Sequence, residues 1–432
     1  MKSARAKVMH EVAGLPILGH VIAAVRGAGV ERIVVVIAPG AEEVRAFVAA
    51  QGAQSVVQDK QLGTGHAANC AASALADFSG SLIVAYGDHP LMTSATFDTS
   101  FAAREKAGMA IVAFRSASMA YGRVIADSDG MLDRIVEYKD ANTSERKIDL
   151  CNAGVMAADA KSFFRWASQL KNENSQREFY LTDIPSFAKA DRVACAIVEA
   201  DEAQMMGVNS RAELAGAEAE MQKRLRAKAL DAGVGMTAPE TVFLSYDTAL
   251  EADVQVGPFV VFGPGVSIKS GAQIKAFSHL EGAEVGHNAL IGPHARLRPG
   301  AVIEDDVHIG NFVEVKKARI EKGAKANHLA YIGDARVGAG ANIGAGTITC
   351  NYDGFDKHFT DIGAGAFIGS DTALVAPVKV ADGAYVGAGS VITKDVGKDA
   401  LAVTRAEQRE VPGWAEKFRA RKKAEKTAKG KT

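Results

Sequence analysis

Several residues in this chain have types and settings that could do chemistry. Asp88 follows the apolar run Leu82-Ile83-Val84-Ala85-Tyr86 and a small Gly87, so its carboxylate falls at the C-terminal end of a strand, where open α/β sheets bind ligands. An Asp after a strand is more often a helix cap or turn former, and only its company raises Asp88 above that reading. Gly63 and Thr64 permit close approach to the backbone, and Gln58 can offer paired hydrogen bonds to a base edge; taken alone they would be a surface turn. His328 is the best general base in the chain, because imidazole changes charge in the physiological range. His287 and His294, by contrast, read as corner or stacking residues of a repeat. Arg298 and Lys316 supply two cations suited to a phosphate, Arg as a bidentate fork and Lys as a point charge; the competing reading is solvated charge at a coil edge.

The elements that must position these groups follow from composition and pattern. A chain of 432 residues with 48% hydrophobic and 23% charged residues is a globular protein of two or three compact units. The longest apolar runs, such as Ile33 to Ala38, fall far below the roughly 20 residues that span a bilayer, and no signal-peptide pattern opens the sequence, so a cytoplasmic protein without membrane insertion is expected. Cys70, Cys151, Cys195 and Cys350 lack CxxC spacing, which argues for reduced thiols rather than a zinc site or disulfides. Formal net charge is −1, yet from Glu416 onward eight Lys or Arg stand against two Glu. Lys-rich, Ala-containing ends with few aromatics are more often solvated than specific, so nucleic-acid binding is not expected.

The first two hundred residues alternate helix-like stretches with β-branched runs and read as α/β with a mainly parallel sheet. Ser210 to Asp231 is rich in Ala, Glu, Arg and Leu, with Gly216 as its one helix breaker, and predicts a long connecting helix. After Glu251, bulky apolar residues recur every six positions: Val256, Phe262, Ile268, Ile274 and Leu280, then, after a five-residue step, Val285, Ile291, Leu297, Ile303, Ile309 and Val315. The rhythm weakens near Ala326 and returns as Ile362, Ile368, Leu374, Val380, Val386 and Ile392. Three hexads form one coil of a triangular parallel β-helix lined by these residues. A β-sandwich would show period-two alternation instead. The general preference for right-handed crossovers would give the opposite hand from a left-handed hexapeptide helix, so periodicity does not fix handedness.

Gln58 to Ala67 (QDKQLGTGHA), Tyr86-Gly87-Asp88, Tyr121-Gly122-Arg123, Asn152-Ala153-Gly154 and Gly207-Val208-Asn209 resemble the bifunctional N-acetylglucosamine-1-phosphate uridylyltransferase/glucosamine-1-phosphate acetyltransferase family. So do Arg296 to Gly300 (RLRPG), Asn311 to Lys317 (NFVEVKK), Asn327 to Asp334 (NHLAYIGD) and Asn342 to Gly354 (NIGAGTITCNYDG). The resemblance implies a Rossmann-like nucleotidyltransferase domain over 1–209, a linker helix over 210–236, a left-handed parallel β-helix of hexapeptide repeats over 237–405, and a basic tail over 406–432. It also implies a homotrimer that acetylates glucosamine 1-phosphate from acetyl-CoA, then joins N-acetylglucosamine 1-phosphate to UTP, giving UDP-N-acetylglucosamine for the bacterial envelope. By similarity, Asp88 and Asn209 are the Mg²⁺ ligands and Lys7 neutralises phosphate, although Ala6 precedes it rather than the family's Pro. Gln58, Gly63, Thr64, Tyr86 and Gly87 hold the nucleotide, while Gly122, Glu137 and Asn152 hold its sugar. In the second domain the resemblance makes His328 the base with Glu314 orienting it, and gives Arg298, Lys316, Tyr331 and Asn342 to the sugar phosphate. Ala345, Asn351, Tyr352, Ser370, Ala388 and Arg405 go to acetyl-CoA.

One departure stands out. Family members open with an apolar strand and a Gly-rich loop of the form LAAGxGTRM, whose amides cradle phosphate. Met1-Lys2-Ser3 matches only the end of that segment, which suggests a start site assigned too late. Loss of an interior strand exposes unpaired edges and leaves a gap in the sheet. Weak or absent uridylyl transfer is therefore expected, and ordinary turnover of UTP would overturn the expectation. The competing readings are a single-function sugar-1-phosphate nucleotidyltransferase whose β-helix only oligomerises, and a non-catalytic trimeric assembly subunit. The group His328, Tyr331, Asn351 and Tyr352 speaks against the first, and Asp88, Asn209 and His328 speak against the second, to which the absent N-terminal loop lends slight support.

Overall fold

The computed structural model describes residues 1–117 and 121–428, so the last four residues of the basic tail lie outside the described residues. It divides into two compact units, Met1–Asp231 with Phe243–Thr248, and Ala232–Val242 with Ala249–Thr432.

In the first unit the elements are α1 (Ile17–Gly27), β1 (Val34–Ile37), α2 (Glu42–Ala50), β2 (Gln54–Val57), α3 (Thr64–Cys70), β3 (Ser81–Val84) and α4 (Ser94–Ala107). They continue as β4 (Gly108–Arg115), β5 (Arg123–Ala126), β6 (Leu132–Val136), β7 (Leu150–Asp159), α5 (Ala160–Ala167), α6 (Ile184–Ala190), β8 (Ala194–Glu199) and α7 (Arg211–Asp231). Met109 to Phe114 of β4 and Cys151 to Ala158 of β7 are buried throughout, the signature of strands covered on both faces. The chain turns directly from β7 into α5 because Asp159 caps the helix, accepting from the Ser162 N–H at 2.9 Å. On α1, Ile17, Leu18, Val21, Ile22 and Val25 form one buried stripe against the sheet.

The sheet is mixed rather than mainly parallel. Its order is β8-β4-β7-β5-β6 with β3 also on β7, and only β8–β4 run parallel. Apolar β-branched runs report burial and carry no sign of strand direction, which is why the expectation failed here. β1 and β2 pair in parallel as a separate two-stranded sheet, so the sheet of the first unit is split between β1 and β3. The expected connector is also more than a connector. Ala217 and Gln222 of α7 are buried within the first unit, and the Gln222 side chain both donates to Leu244 O and accepts from Leu244 N, at 2.6 and 2.8 Å.

The second unit is a parallel prism. Gln255, Gln273, Leu290, His308, Lys325, Asn342, Phe367, Tyr385 and Leu401 stack as successive Cα partners on one face. The other two faces are joined where the seven-residue strands Glu314–Ile320 and Tyr331–Val337 run around a corner. Every hexad residue named above is buried. Where the rhythm weakens, Ala326 still sits buried in register between Ile309 and Ile343, so the coil continues around a smaller side chain. After the prism, Trp414–Ala428 forms an exposed helix, where the sequence predicts only a solvated tail.

Leu297 is fully buried. Leu297→Ala is expected to cost about 2–5 kcal/mol of the second unit's stability in chemical denaturation, the usual range for a core cavity. An unchanged midpoint would contradict the packed axis.

Candidate active sites

The first site lies where β3 ends. Asp88 projects beyond that strand, and its Oδ2 accepts from Lys7 Nζ at 2.6 Å; the same ammonium donates to Asn209 Oδ1 at 2.8 Å. Val208 N–H donates to the Asp88 carbonyl at 3.0 Å and so draws the 207–209 segment alongside. One residue set thus gathers a carboxylate, an amide oxygen and a cation from three distant stretches of chain. The other carboxylate oxygen, Asp88 Oδ1, is buried without a hydrogen-bond partner and lies 3.6 Å from His89 Nε2. Burial pushes the His89 imidazole below its ordinary pKa, which favours its neutral form. A carboxylate with one partnerless oxygen and an amide oxygen reached by the same ammonium are hard donors that fit Mg²⁺, an ion that keeps waters and substrate phosphates in its remaining positions. Among the described residues there is no group of three or more His, Cys, Asp or Glu that could hold a metal by itself.

Around this pair stand the other expected residues. Tyr86 is half-buried, and desolvation pushes its hydroxyl up to about 12, so it stays a neutral donor. Its ring occupies the space beside Gly154, where an added Cβ would lie 2.0 Å from Tyr86 Cε2; with φ at 73°, that position requires glycine. Gly63, at φ 109°, lets the loop close on Phe179, and Thr64 Oγ1 accepts from Leu181 N–H at 3.2 Å. The Gln58 amide nitrogen contacts His66 Nδ1 at 2.9 Å and Gly63 O at 3.2 Å, so the loop holds this amide rather than leaving it free. Gly122 O accepts from Asn152 N–H at 2.9 Å, and Asn152 Oδ1 accepts from Gly154 N–H at 3.2 Å. Glu137 lines a cavity of about 400 Å³ with Asp140, Tyr180, Thr182 and Asp183. Burial raises its pKa, and Thr182 donates to it at 3.1 Å. Sequence reasoning missed His89 and Thr182. His89 had a signal in its place directly after Asp88; Thr182 had none, since it reaches Glu137 from 45 residues away.

The second site occupies one corner of the prism. Asn311 and His328 are Cα partners on adjacent coils, and the Asn311 amide oxygen faces His328 Nδ1 at 2.9 Å. Nδ1 therefore carries the proton and donates, which leaves the lone pair on Nε2. Glu314 does not orient the imidazole. Its carboxylate accepts from Arg298 Nη1 at 2.8 Å and lies 3.6 Å from Arg296 Nη1, because the ladder sets Glu314 beside Arg296 and Tyr331. Asn311 takes the orienting place, and Glu314 instead fixes Arg298. Lys316 follows on the same strand, in register with Gly333. The Tyr331 hydroxyl is 3.5 Å from the Asn351 amide nitrogen, and that nitrogen also donates to Asp334, a partner not singled out from sequence. Asn342 lies between Lys325 and Phe367 on the neighbouring face.

The same corner carries Ala345, Ser370 and Ala388. Backbone bonds climb from coil to coil as Leu329 N–H to Asn311 O, Gly346 N–H to Leu329 O, Asp371 N–H to Ala345 O and Gly389 N–H to Ser370 O. The Arg405 guanidinium closes the column on Ala388 O. Toward the other end, His294 stacks between Phe277 and Phe312 with ring centroids 4.9 and 5.1 Å apart, the stacking place expected for it. His287 likewise bonds Ser270 Oγ at 2.9 Å. The segment 351–359 breaks the coil as a small hairpin: Tyr352 pairs with Lys357, whose ammonium sits 4.2 Å above the Tyr352 ring, and Phe355 at its tip is 92% exposed.

Residues 1–155 match the MobA-like NTP transferase domain, and residues 282–317 and 359–394 match the bacterial transferase hexapeptide (six repeats) family. The chain is 52% identical over 433 residues to the bifunctional protein GlmU of Paramagnetospirillum magneticum, covering 99% of this chain and 96% of that relative. It is 49% identical over 435 residues to the bifunctional protein GlmU of Sphingopyxis alaskensis, and 48% identical over 439 residues to that of Agrobacterium fabrum, each covering 100% of this chain and 96% of the relative. Identity of this level across both units shows that the chain belongs to the GlmU family of bifunctional proteins.

Proposed function

We propose that the second unit transfers acetyl from acetyl-CoA to the amine of glucosamine 1-phosphate, and that the first then transfers uridylyl from UTP to N-acetylglucosamine 1-phosphate. The products are UDP-N-acetylglucosamine, a precursor for envelope polymers, and pyrophosphate. The enzyme is a bifunctional transferase acting on soluble phosphates in the cytoplasm, and no helix among the described residues is long and apolar enough to cross a membrane. The observation that carries the acetyl half is the Asn311–His328 bond, which frees Nε2 to take the amine proton as nitrogen attacks the thioester carbon and CoA leaves as the thiol. Arg298, held by Glu314, and Lys316 bind the sugar phosphate; Tyr331 and Asn342 bind its hydroxyls. Ala345, Ser370, Ala388 and Arg405 receive acetyl-CoA along the corner column, and Asn351 and Tyr352 receive it from the hairpin after the next strand. Phe259, Phe277, Phe312 and Leu329, each more than half exposed on that corner, favour burial against a second prism and support a homotrimer.

In the first unit, Asp88 and Asn209 would hold Mg²⁺, which offsets charge on the triphosphate when bound. Lys7 then moves from Asp88 to the phosphates. Gln58, Gly63 and Thr64 hold the nucleoside, and Gly122, Glu137 and Asn152 the acetylated sugar. Sequence reading expects this second transfer to be weak. The preserved cluster of Lys7, Asp88 and Asn209, together with relatives matched over 96% of their length, supports both transfers instead. The same match removes the support for a non-catalytic or single-function protein.

A paired assay on one preparation tests the assignment. His328→Ala is expected to slow CoA release by about 10²–10⁴-fold while leaving pyrophosphate release from UTP unchanged. Asp88→Asn is expected to do the reverse. Equal loss of both activities in either variant would contradict two separate sites. Asn311→Ala is expected to lower kcat for acetyl transfer about tenfold, the worth of one hydrogen bond of ~1.5 kcal/mol, with KM for glucosamine 1-phosphate little changed. A change confined to KM would place Asn311 in substrate binding instead.

A further inference from the structure

His66 lies on the first turn of α3, whose start is held by backbone bonds from Gly65 N–H to Phe179 O and from Phe179 N–H to Leu62 O, each 2.8 Å. Its imidazole leans on the Phe179 ring, with the two centroids 6.1 Å apart. Gln58 is pinned from the other side, just past the end of β2, by the bond from its N–H to Ile37 O at 2.9 Å. Between these anchors the Gln58 amide nitrogen meets Gly63 O at 3.2 Å and His66 Nδ1 at 2.9 Å. Gly63 O is itself fixed, since it also accepts from Ala67 N–H at 3.1 Å.

Only one assignment of hydrogens fits this group. A carbonyl oxygen can only accept, so the Gln58 atom facing Gly63 O is the NH₂ nitrogen and not the amide oxygen. That NH₂ has two hydrogens and no lone pair to offer, so His66 Nδ1 accepts from it and the neutral ring carries its proton on Nε2. The Cys70 thiol, one turn further along α3, lies 4.0 Å from the same nitrogen and asks the same of it. Both amide hydrogens are then directed into the protein. Among the described residues no donor reaches the Gln58 amide oxygen, so that oxygen is what Gln58 has left for a base. A freely turning amide pairs with either kind of base edge, whereas a fixed acceptor pairs only with a ring N–H. Uracil presents N3–H there; cytosine presents a bare N3, which would set two lone pairs against each other in a half-buried site. We infer that His66 is a positioning residue for base choice: together with Gly63 O it locks the Gln58 amide so that the oxygen faces the base, which selects UTP against CTP. This rests on the uridylyl reading of the first unit.

The test is calorimetric titration of the full chain, in buffer containing Mg²⁺, with UTP and with CTP, for the natural sequence, His66→Leu and His66→Asn. Leucine has no lone pair to hold the Gln58 amide, whereas the asparagine amide oxygen stands where Nδ1 stands and restores the acceptor. The natural sequence is expected to bind UTP more tightly than CTP. His66→Leu is expected to lose about tenfold of that preference, as for one hydrogen bond, and His66→Asn to keep it within about twofold. A residue that only supports the loop would weaken both nucleotides alike. Equal weakening of the two in His66→Leu, an unchanged ratio in that variant, or loss of the preference in His66→Asn would each overturn the proposal. UTP still bound with an unchanged ratio would sink the His66 assignment alone; no UTP binding by the natural sequence would sink the uridylyl reading and this proposal with it.

Discussion

The structure of the second unit depends on one constraint: an apolar residue must reach the prism axis every sixth position while each coil hydrogen-bonds to the next. Leu280, Leu297, Val315 and Ile332 satisfy the first requirement, all buried, and the parallel ladders satisfy the second. Together they place residues on adjacent coils side by side without loops of their own. Asn311 stands over His328 for that reason, and Glu314 stands between Arg296 and Tyr331 for the same reason. The geometry at this corner is thus a property of coil register, held by the backbone rather than by the side chains it positions.

The first unit reaches its site by the opposite route. Lys7, Asp88 and Asn209 come from stretches far apart in sequence and meet because a central sheet buried on both faces fixes where its strands end. With two acceptors around one ammonium, the site is electrostatically balanced as it stands. The second carboxylate oxygen, Asp88 Oδ1, is buried and has no hydrogen-bond partner. The neighbouring cavity at Glu137 is lined mainly by polar and acidic groups.

Much of this was legible in the sequence, and the exceptions are instructive. The prism was readable because a six-residue period has one physical solution, and even its weak point proved to be a buried alanine in register. The residues gathered at both sites were readable as motifs. The mixed sheet was not, since strand direction depends on the long β7 arriving through the β5–β6 hairpin, and burial patterns are blind to that. The packing of α7 was hidden by its polar composition, because Gln222 is buried through its amide bonds to Leu244. The partner of His328 was available but overlooked: one coil spans 17 residues here, and 17 residues before His328 is Asn311, whereas Glu314 falls three positions out of register. Counting coils is a sharper guide in such a repeat than proximity in sequence.

Coil register also fixes the place of one proton. If coil pairing sets the Asn311 amide oxygen against His328 Nδ1, the neutral imidazole exists as the Nδ1–H tautomer with Nε2 bare. Nitrogen-15 NMR of the histidine-labelled protein, with His328 assigned by its loss in His328→Ala, reads this directly. A protonated Nδ1 and an unprotonated Nε2 in the neutral ring are expected; a protonated Nε2 in that ring would contradict the coil-register account.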